Sequence, residues 1–415
     1  MVSKYSNVTP SAGAEIRRES QAQQNKSSGA LTSWVSVFMA AAAGAAMANN
    51  YVMHPVLPDV ADSLGVSISA TGILAGATQA GYLLGIIFLV PLGDIFNLKK
   101  VIIIQQITLS MVLLLSALSP SFVMLASALF LVGLMSSSSL QISSLGFRAS
   151  PAGSRGATMG AIMAGISSGI VLSRIVSGAL SEQYGWRIML ATLAAMTALI
   201  AIISLKALPS WGSDERASDS YWGLIKSLPD IFIKHASLRA SVVAGCCWFF
   251  VFSILWVSLS VYLANEFSLS STGIGLFGFA GLAGVLVTRP AGALADRIGS
   301  KRVILYSFAV IILGVVSLAV GNSNLWLLGL GVVLFDMGVF AAQVANQTRV
   351  LDANPDARNR TLSVYMCFYY GAGALGSSAG SYFLSIFGWI GVCAIAGFVA
   401  LFGFIFTLKC IGSRQ

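Results

Sequence analysis

Twelve apolar segments follow one another along this chain. Most run unbroken for about 20 residues, the length a helix needs to cross the hydrocarbon of a bilayer. They lie at 31–53, 69–92, 101–118, 122–146, 157–181, 187–208, 239–262, 271–293, 303–320, 325–347, 361–384 and 389–408. The runs do not alternate, which excludes spanning strands. Composition agrees: 56% of the residues are apolar and 9% charged, against about 25% charged in a soluble domain. That is too little charge to coat a soluble protein of 415 residues. The 42 glycines suit closely packed membrane helices.

The net charge of +9 has the sign that suits nucleic acid, but its placement points to membrane topology. With the amino terminus inside, 22 of the 24 Lys and Arg fall on one side, as the positive-inside rule requires. The exceptions are Arg187, at an outer segment end, and Arg174, within segment 5. Both termini are therefore expected in the cytoplasm, with the chain in the cell (inner) membrane. Residues 1–30 are polar and read as a disordered cytoplasmic tail. The run from Leu31 lacks a clear cleavage site and leads into further segments, so a signal peptide is not expected. Residues 209–238 form the longest connection. Within it, Tyr221 to His235 has amphipathic spacing and reads either as an interfacial helix or as a flexible linker.

Chemical signatures are sparse. No GxxxxGK[ST] loop, HExxH or cysteine ligand cluster occurs. Cys246, Cys247, Cys367, Cys393 and Cys410 read as small packing residues. No metal, cofactor or enzymatic activity is expected.

The chain also repeats itself. Gly292 to Arg302 reads GALADRIGSKR, and Asp94 to Lys100 reads DIFNLKK. Aligned on the acid, Asp94 matches Asp296, Lys99 matches Lys301 and Lys100 matches Arg302, at an offset of 202. Thr71-Gly72-Ile73 recurs as Thr272-Gly273-Ile274, and Gly185-Trp186 as Gly388-Trp389. Offsets this constant mean two bundles of similar design. These loops resemble the one between helices 2 and 3 of the major facilitator superfamily: Gly, three residues, Asp-Arg, Gly and two bases. Gly292, Asp296, Arg297, Gly299, Lys301 and Arg302 fit it. The first copy departs at Val90, Ile95 and Asn97.

The stretches AMANNYVMHPVLPDVADSLGVS, GYLLGIIFLVPLGD and the run ending NQTRV are similar to bacterial efflux permeases of the drug:proton antiporter type. The Gly-Pro pair usual in their fifth helix is absent, and Leu129 stands where many carry Arg. The resemblance implies an all-α membrane protein with twelve transmembrane helices in two pseudo-symmetric six-helix bundles. The bundles are expected at 31–208 and 239–408, with a tail at 409–415. It implies a monomer that exports a small organic molecule against inward proton flow, without nucleic acid. Proton-linked uptake, facilitated diffusion and a non-transporting sensor are the alternatives.

In the resembled fold helix 8 abuts helix 5, and helix 2 abuts helix 11. Asp296 and Asp94 are then expected as latches against the amino ends of helices 5 and 11, where the helix dipole favours an acid. Arg155 and Arg360 precede those helices as possible partners. The alternative is that the bases only fix the loop inside.

Asp336, in GVVLFDMGVF, is the one acid deep within a segment. A buried carboxylate is costly when charged and is suited to taking and releasing a proton; the alternative is a structural Asp bonded to Ser or backbone. Arg174, in GIVLSRIVSG, lies roughly 7 Å outward of mid-membrane by residue count, within reach of Asp336; the alternatives are snorkelling outward or pairing with Glu182. In the resembled fold helices 1, 4, 7 and 10 line the cavity. The candidates there are Asn49, Asn50, Tyr51, Ser137, Gln141, Trp248, Phe252, Trp256, Gln343 and Asn346. Trp248, Phe252 and Trp256 are four apart and share a helix face, which reads either as accepting an apolar or aromatic solute or as facing lipid, with plain packing the alternative for each candidate. His54, before Pro55, is expected at the surface.

Overall fold

The computed structural model describes residues 33–151, 154–210, 221–321, 323–354 and 358–410. The expected tail at 1–30 and residues 411–415 lie outside the described residues, as do 211–220 of the connection. Among the described residues all regular structure is helical.

The spanning helices are α1, Ser33–Ala48; α2, Ile68–Ile95; α3, Leu98–Ala117; α4, Phe122–Ala149; α5, Arg155–Tyr184; α6, Trp186–Ala207; α7, Ala236–Phe267; α8, Ser271–Ile298; α9, Ser300–Val320; and α10, Leu325–Ala353. A last run, Arg358–Cys410, is broken by one non-helical residue, Gly388. It supplies α11 (358–387) and α12 (389–410). Among the described residues these make twelve apolar helices, α1 being the shortest at 16 residues, in keeping with the expected fold class.

The repeats have a conformational cause. Gly185 (φ 83°) ends α5 and Gly388 (φ 65°) ends α11, in a region that residues with a Cβ rarely adopt. Each precedes a buried Trp. Trp186 Nε1 donates to Ser63 Oγ at 2.8 Å, and Trp389 Nε1 donates to the Leu318 carbonyl at 2.9 Å.

In lipid, helices are held together by close packing rather than by hydrophobic drive. At the α2–α4 contact, a Cβ on Gly81 or Gly133 would strike the facing carbonyl of Phe130 or Thr78. Gly44 meets Gly165 in the same way where α1 crosses α5. The second bundle repeats the arrangement: Gly284 of α8 lies on α10 at Asp336 and Phe340, and Gly376 of α11 on the backbone of α7 at Phe250. The halves meet along two seams, α2 with α11 and α5 with α8.

One segment differs from its sequence reading. Segment 1 was expected to be helical to residue 53, but α1 stops at Ala48. The Asn49 amide bonds back to the Ala45 carbonyl at 3.0 Å, and Pro55 has no N–H to continue a ladder. The chain then turns into a short 3-10 helix, His54–Val56, and a helix, Leu57–Leu64. The expected outer loop 54–68 is thus mostly helical, and it buries Val56, Leu57 and Val60.

Of the two readings of the connection, the helix is observed over Tyr221–Lys234. The Tyr221 hydroxyl donates to the Phe88 carbonyl of α2 at 2.9 Å, and Phe232 stacks on Phe368 of α11 at 4.6 Å. The helix therefore crosses the α2–α11 seam.

Candidate functional site

Asp336 lies at the middle of α10 and is wholly buried. Trp256, on α7, donates from its indole Nε1 to Asp336 Oδ1 at 3.1 Å. The face of the same indole carries Arg174 of α5, whose Cζ sits 3.7 Å from the ring centroid. Arg174 is 2% exposed. Its Cζ also lies 5.4 Å from the Tyr51 ring and 5.5 Å from the Phe252 ring. The two charges do not form an ion pair within 4.0 Å. One indole thus holds a carboxylate by its edge and a cation by its face. The first is a charge-assisted hydrogen bond, the second a cation–π contact of about 2 kcal/mol when dry.

The surroundings are aromatic and close. Phe335 lies 6.1 Å from Trp256 and 6.4 Å from Phe252. Tyr51 meets Phe252 edge-on at 6.2 Å. On α8, Gly281 brings bare backbone against Asp336; a Cβ there would lie 2.8 Å from Oδ2. Gly281 lies where α8 passes through a 3-10 turn, Phe277–Phe279. A break of this kind inside a membrane is tolerated where protein covers it.

The sequence candidates divide. Tyr51, Phe252, Trp256, Arg174 and Asp336 come together. The side-chain amide nitrogens of Asn49, Asn50, Gln141 and Asn346 donate instead to the backbone carbonyls of Ala45, Met47, Leu89 and Ser241. Gln343 accepts from the Tyr365 hydroxyl at 2.6 Å. Ser137 bonds back to the Leu134 carbonyl. Trp248 shares its helix face with Phe252 but stacks toward Phe308 of α9, at 5.6 Å. His54 is corrected: it is 1% exposed, not at the surface. The early end of α1 folds it inward against Tyr51, 5.6 Å away. Phe335 and Gly281 were not picked out from sequence; their only signal was adjacency to Asp336 and a Gly-rich stretch in α8.

The two ends of the α5–α8 seam differ. Away from the basic loops it is shut. A Cβ on Gly178 would strike the Ser271 carbonyl. Asp59 Oδ2, on the short helix Leu57–Leu64, accepts from Ser181 Oγ at 3.2 Å and from Ser271 Oγ. Glu182, the alternative partner for Arg174, instead accepts from the Thr272 backbone N–H at 3.1 Å. At the other seam the Thr71 and Ser381 hydroxyls share a hydrogen bond of 3.3 Å. Toward the basic loops α5 opens: Gly160 has nothing within 4 Å of a Cβ position. A cavity of about 1030 Å³ also lies on this face, lined by second-half residues that include Asp296, Lys301, Arg302, Thr348 and Arg349.

The loop copies sit on that face. Asp94 pairs with Arg148, at the end of α4 in its own half. Asn97 starts α3, its Oδ1 accepting from the Lys100 N–H at 3.2 Å; Lys99 follows in the first turn of α3. Asp296 and Arg297 are exposed. Gly292 packs near Val344 of α10. Gly299 (φ 89°) turns the chain into α9, and Lys301 Nζ donates to the Leu408 carbonyl at 3.1 Å. Arg155 donates to the Ser150 carbonyl at 3.1 Å and lies over Phe147. Arg360 is half-buried in the first turn of α11. In this conformation neither Asp296 with Arg155 nor Asp94 with Arg360 forms an ion pair among the described residues.

A family model described as Major Facilitator Superfamily matches residues 39–370 and 242–413. "Uncharacterized transporter YgaY" of Escherichia coli O157:H7 is 34% identical over 366 residues, 88% of this chain and 92% of that protein. "Probable transporter SCO4007" of Streptomyces coelicolor is 31% identical over 98% of this chain and 94% of that protein. In fold, the chain is similar to a crystal structure of the nucleoside transporter NupG: TM-score 0.73, 12% identity, 91% of this chain and all of that one.

Proposed function

The chain belongs to the Major Facilitator Superfamily and is a multi-pass membrane transporter, and from that premise we propose that it moves a small organic molecule by alternating access, coupled to protons carried by Asp336. The observation that carries the reading is the Asp336–Trp256–Arg174 arrangement: an acid and a base, each buried, on helices of opposite halves. When the halves rock, the two groups part or close. The acid then meets a different environment on each side of the membrane, which is what a proton carrier needs.

The base asymmetry supports an inner-membrane orientation with both termini in the cytoplasm. The shut seam then faces outward, and this conformation is open inward. The loop acids act as latches for the other state: Asp296 and Asp94 hold the basic face closed against α5 and α11. Export against inward proton flow is the first reading of direction, on the likeness to efflux permeases. Proton-linked uptake is the second. Arg174 favours it, because two of its N–H groups have no partner. An anion bound there takes the charge that offsets Asp336, so anion and proton load together rather than in exchange.

Replacing Asp336 by Asn keeps shape and removes the titrating group. In proteoliposomes D336N is expected to abolish substrate-driven proton movement while permitting substrate exchange. Protons moving at the wild-type ratio would place the carrier elsewhere. Topology is checked separately. A cysteine at position 120, between α3 and α4, is expected to react with an impermeant maleimide added outside intact cells; labelling from the cytoplasm alone reverses the orientation.

A further inference from the structure

Arg174 has a partner for its face and none for one edge. The ring of Trp256 covers the face. The Nε and Nη2 hydrogens are buried and make no hydrogen bond. These two nitrogens form the side-on edge of a guanidinium, with two parallel donors whose spacing matches the oxygens of a carboxylate. A cation buried in a membrane without a hydrogen-bonded partner is expensive, and such groups mark substrate or ion sites. The nearest acid does not fill the edge: Oδ1 of Asp336 accepts from Trp256, and Oδ2, beside Gly281, is buried without a hydrogen-bond partner of its own.

We propose that the Nε/Nη2 edge of Arg174 binds the carboxylate of a substrate monoanion whose body is apolar or aromatic. This deepens the transporter reading of the same site and rests on it. The charge of the ligand follows from its neighbours. One guanidinium balances one negative charge, and with Asp336 protonated that charge is the ligand's, so a phosphate dianion would leave an excess buried charge. The body follows from the rings of Tyr51 and Phe252, both within 5.5 Å of Cζ.

The test is equilibrium binding to the purified full-length protein in detergent, with no proton gradient, so a failure of proton coupling does not touch it. Benzoate, indole-3-acetate and 1-naphthoate are each titrated against the matching primary amide. At least one acid is expected to bind about ten- to hundred-fold more tightly than its amide, the range of a charge-assisted bond to a buried group. R174Q is expected to remove that preference. R174K, which keeps the charge and loses the fork, guards against misfolding of R174Q and is expected to weaken the acid at least ten-fold while leaving the amide unchanged. Acids and amides binding alike, no acid binding at all, or R174K binding the acid as the wild type does would each overturn the proposal.

Discussion

The two loop copies make the same connection in opposite ways. Between α2 and α3 the turn residue is Asn97, at φ −58°, and its side chain caps the next helix. Between α8 and α9 it is Gly299, at φ 89°, with no side-chain cap. The acids differ likewise. Asp94 is held by Arg148 of its own half, whereas Asp296, in the copy that keeps the family pattern, is exposed. The sequence-faithful copy is therefore the disengaged one in this conformation. A motif that serves only one state of a two-state protein looks idle in the other. Fidelity to a pattern and engagement in a given conformation are separate properties.

The largest expected effect tests the turns. G299A forces a Cβ into a left-handed conformation and is expected to cost about 1–3 kcal/mol, read as a lowered melting temperature. N97G, which removes a capping side chain but fits the backbone, is expected to cost only a few tenths of a kcal/mol. Equal losses would show that the two turns are not built differently.

Next comes the acid that is free here. D296N is expected to leave folding and substrate binding intact and to shift the inward–outward balance toward inward by about two- to five-fold, the worth of one acid at a helix amino end. Transport slows accordingly. Wild-type turnover with wild-type populations, read by site-specific labelling on each face, would reduce Asp296 to a marker of topology.

The smallest effect belongs to the acid that is paired. The Asp94 side chain is 49% exposed, and an ion pair so placed contributes about 0–1 kcal/mol. D94N is expected to change melting by less than G299A does. A larger loss would mean that the Arg148 pair has replaced the latch as the structural role of this copy.

Much of the fold was legible in the sequence because lipid leaves few choices. Unbroken apolar runs become helices, bases mark one face, and a near-constant offset gives two bundles. The Gly185-Trp186 and Gly388-Trp389 echo, legible as a sign of duplication, coincides with two helix ends whose backbone requires glycine. What one sequence cannot carry is which way a helix faces. Trp248, Phe252 and Trp256 share a face by spacing, yet that face spans two neighbours, α9 for Trp248 and α10 for Trp256. The charged pair was picked out as unusual, but the indole between its members was seen only as cavity lining. His54 was misplaced for a related reason. The apolar run through residue 53 hid the break after Ala48 that turns the ring inward.

The two hydroxyls that converge on Asp59 come from different halves, Ser181 from the first and Ser271 from the second. When the outer seam parts, Ser271 leaves and Ser181 stays. Water takes the vacated place, so the carboxylate trades one hydrogen bond for another and is at no moment stripped of partners. A carboxylate held only by the opposite half would have to lose its whole shell at once, at about 1.5–3 kcal/mol for each charge-assisted bond. Shared between the halves, it lowers the activation barrier to outward opening, and the dwell time of the closed face becomes a quantity that the identity of residue 271 can set.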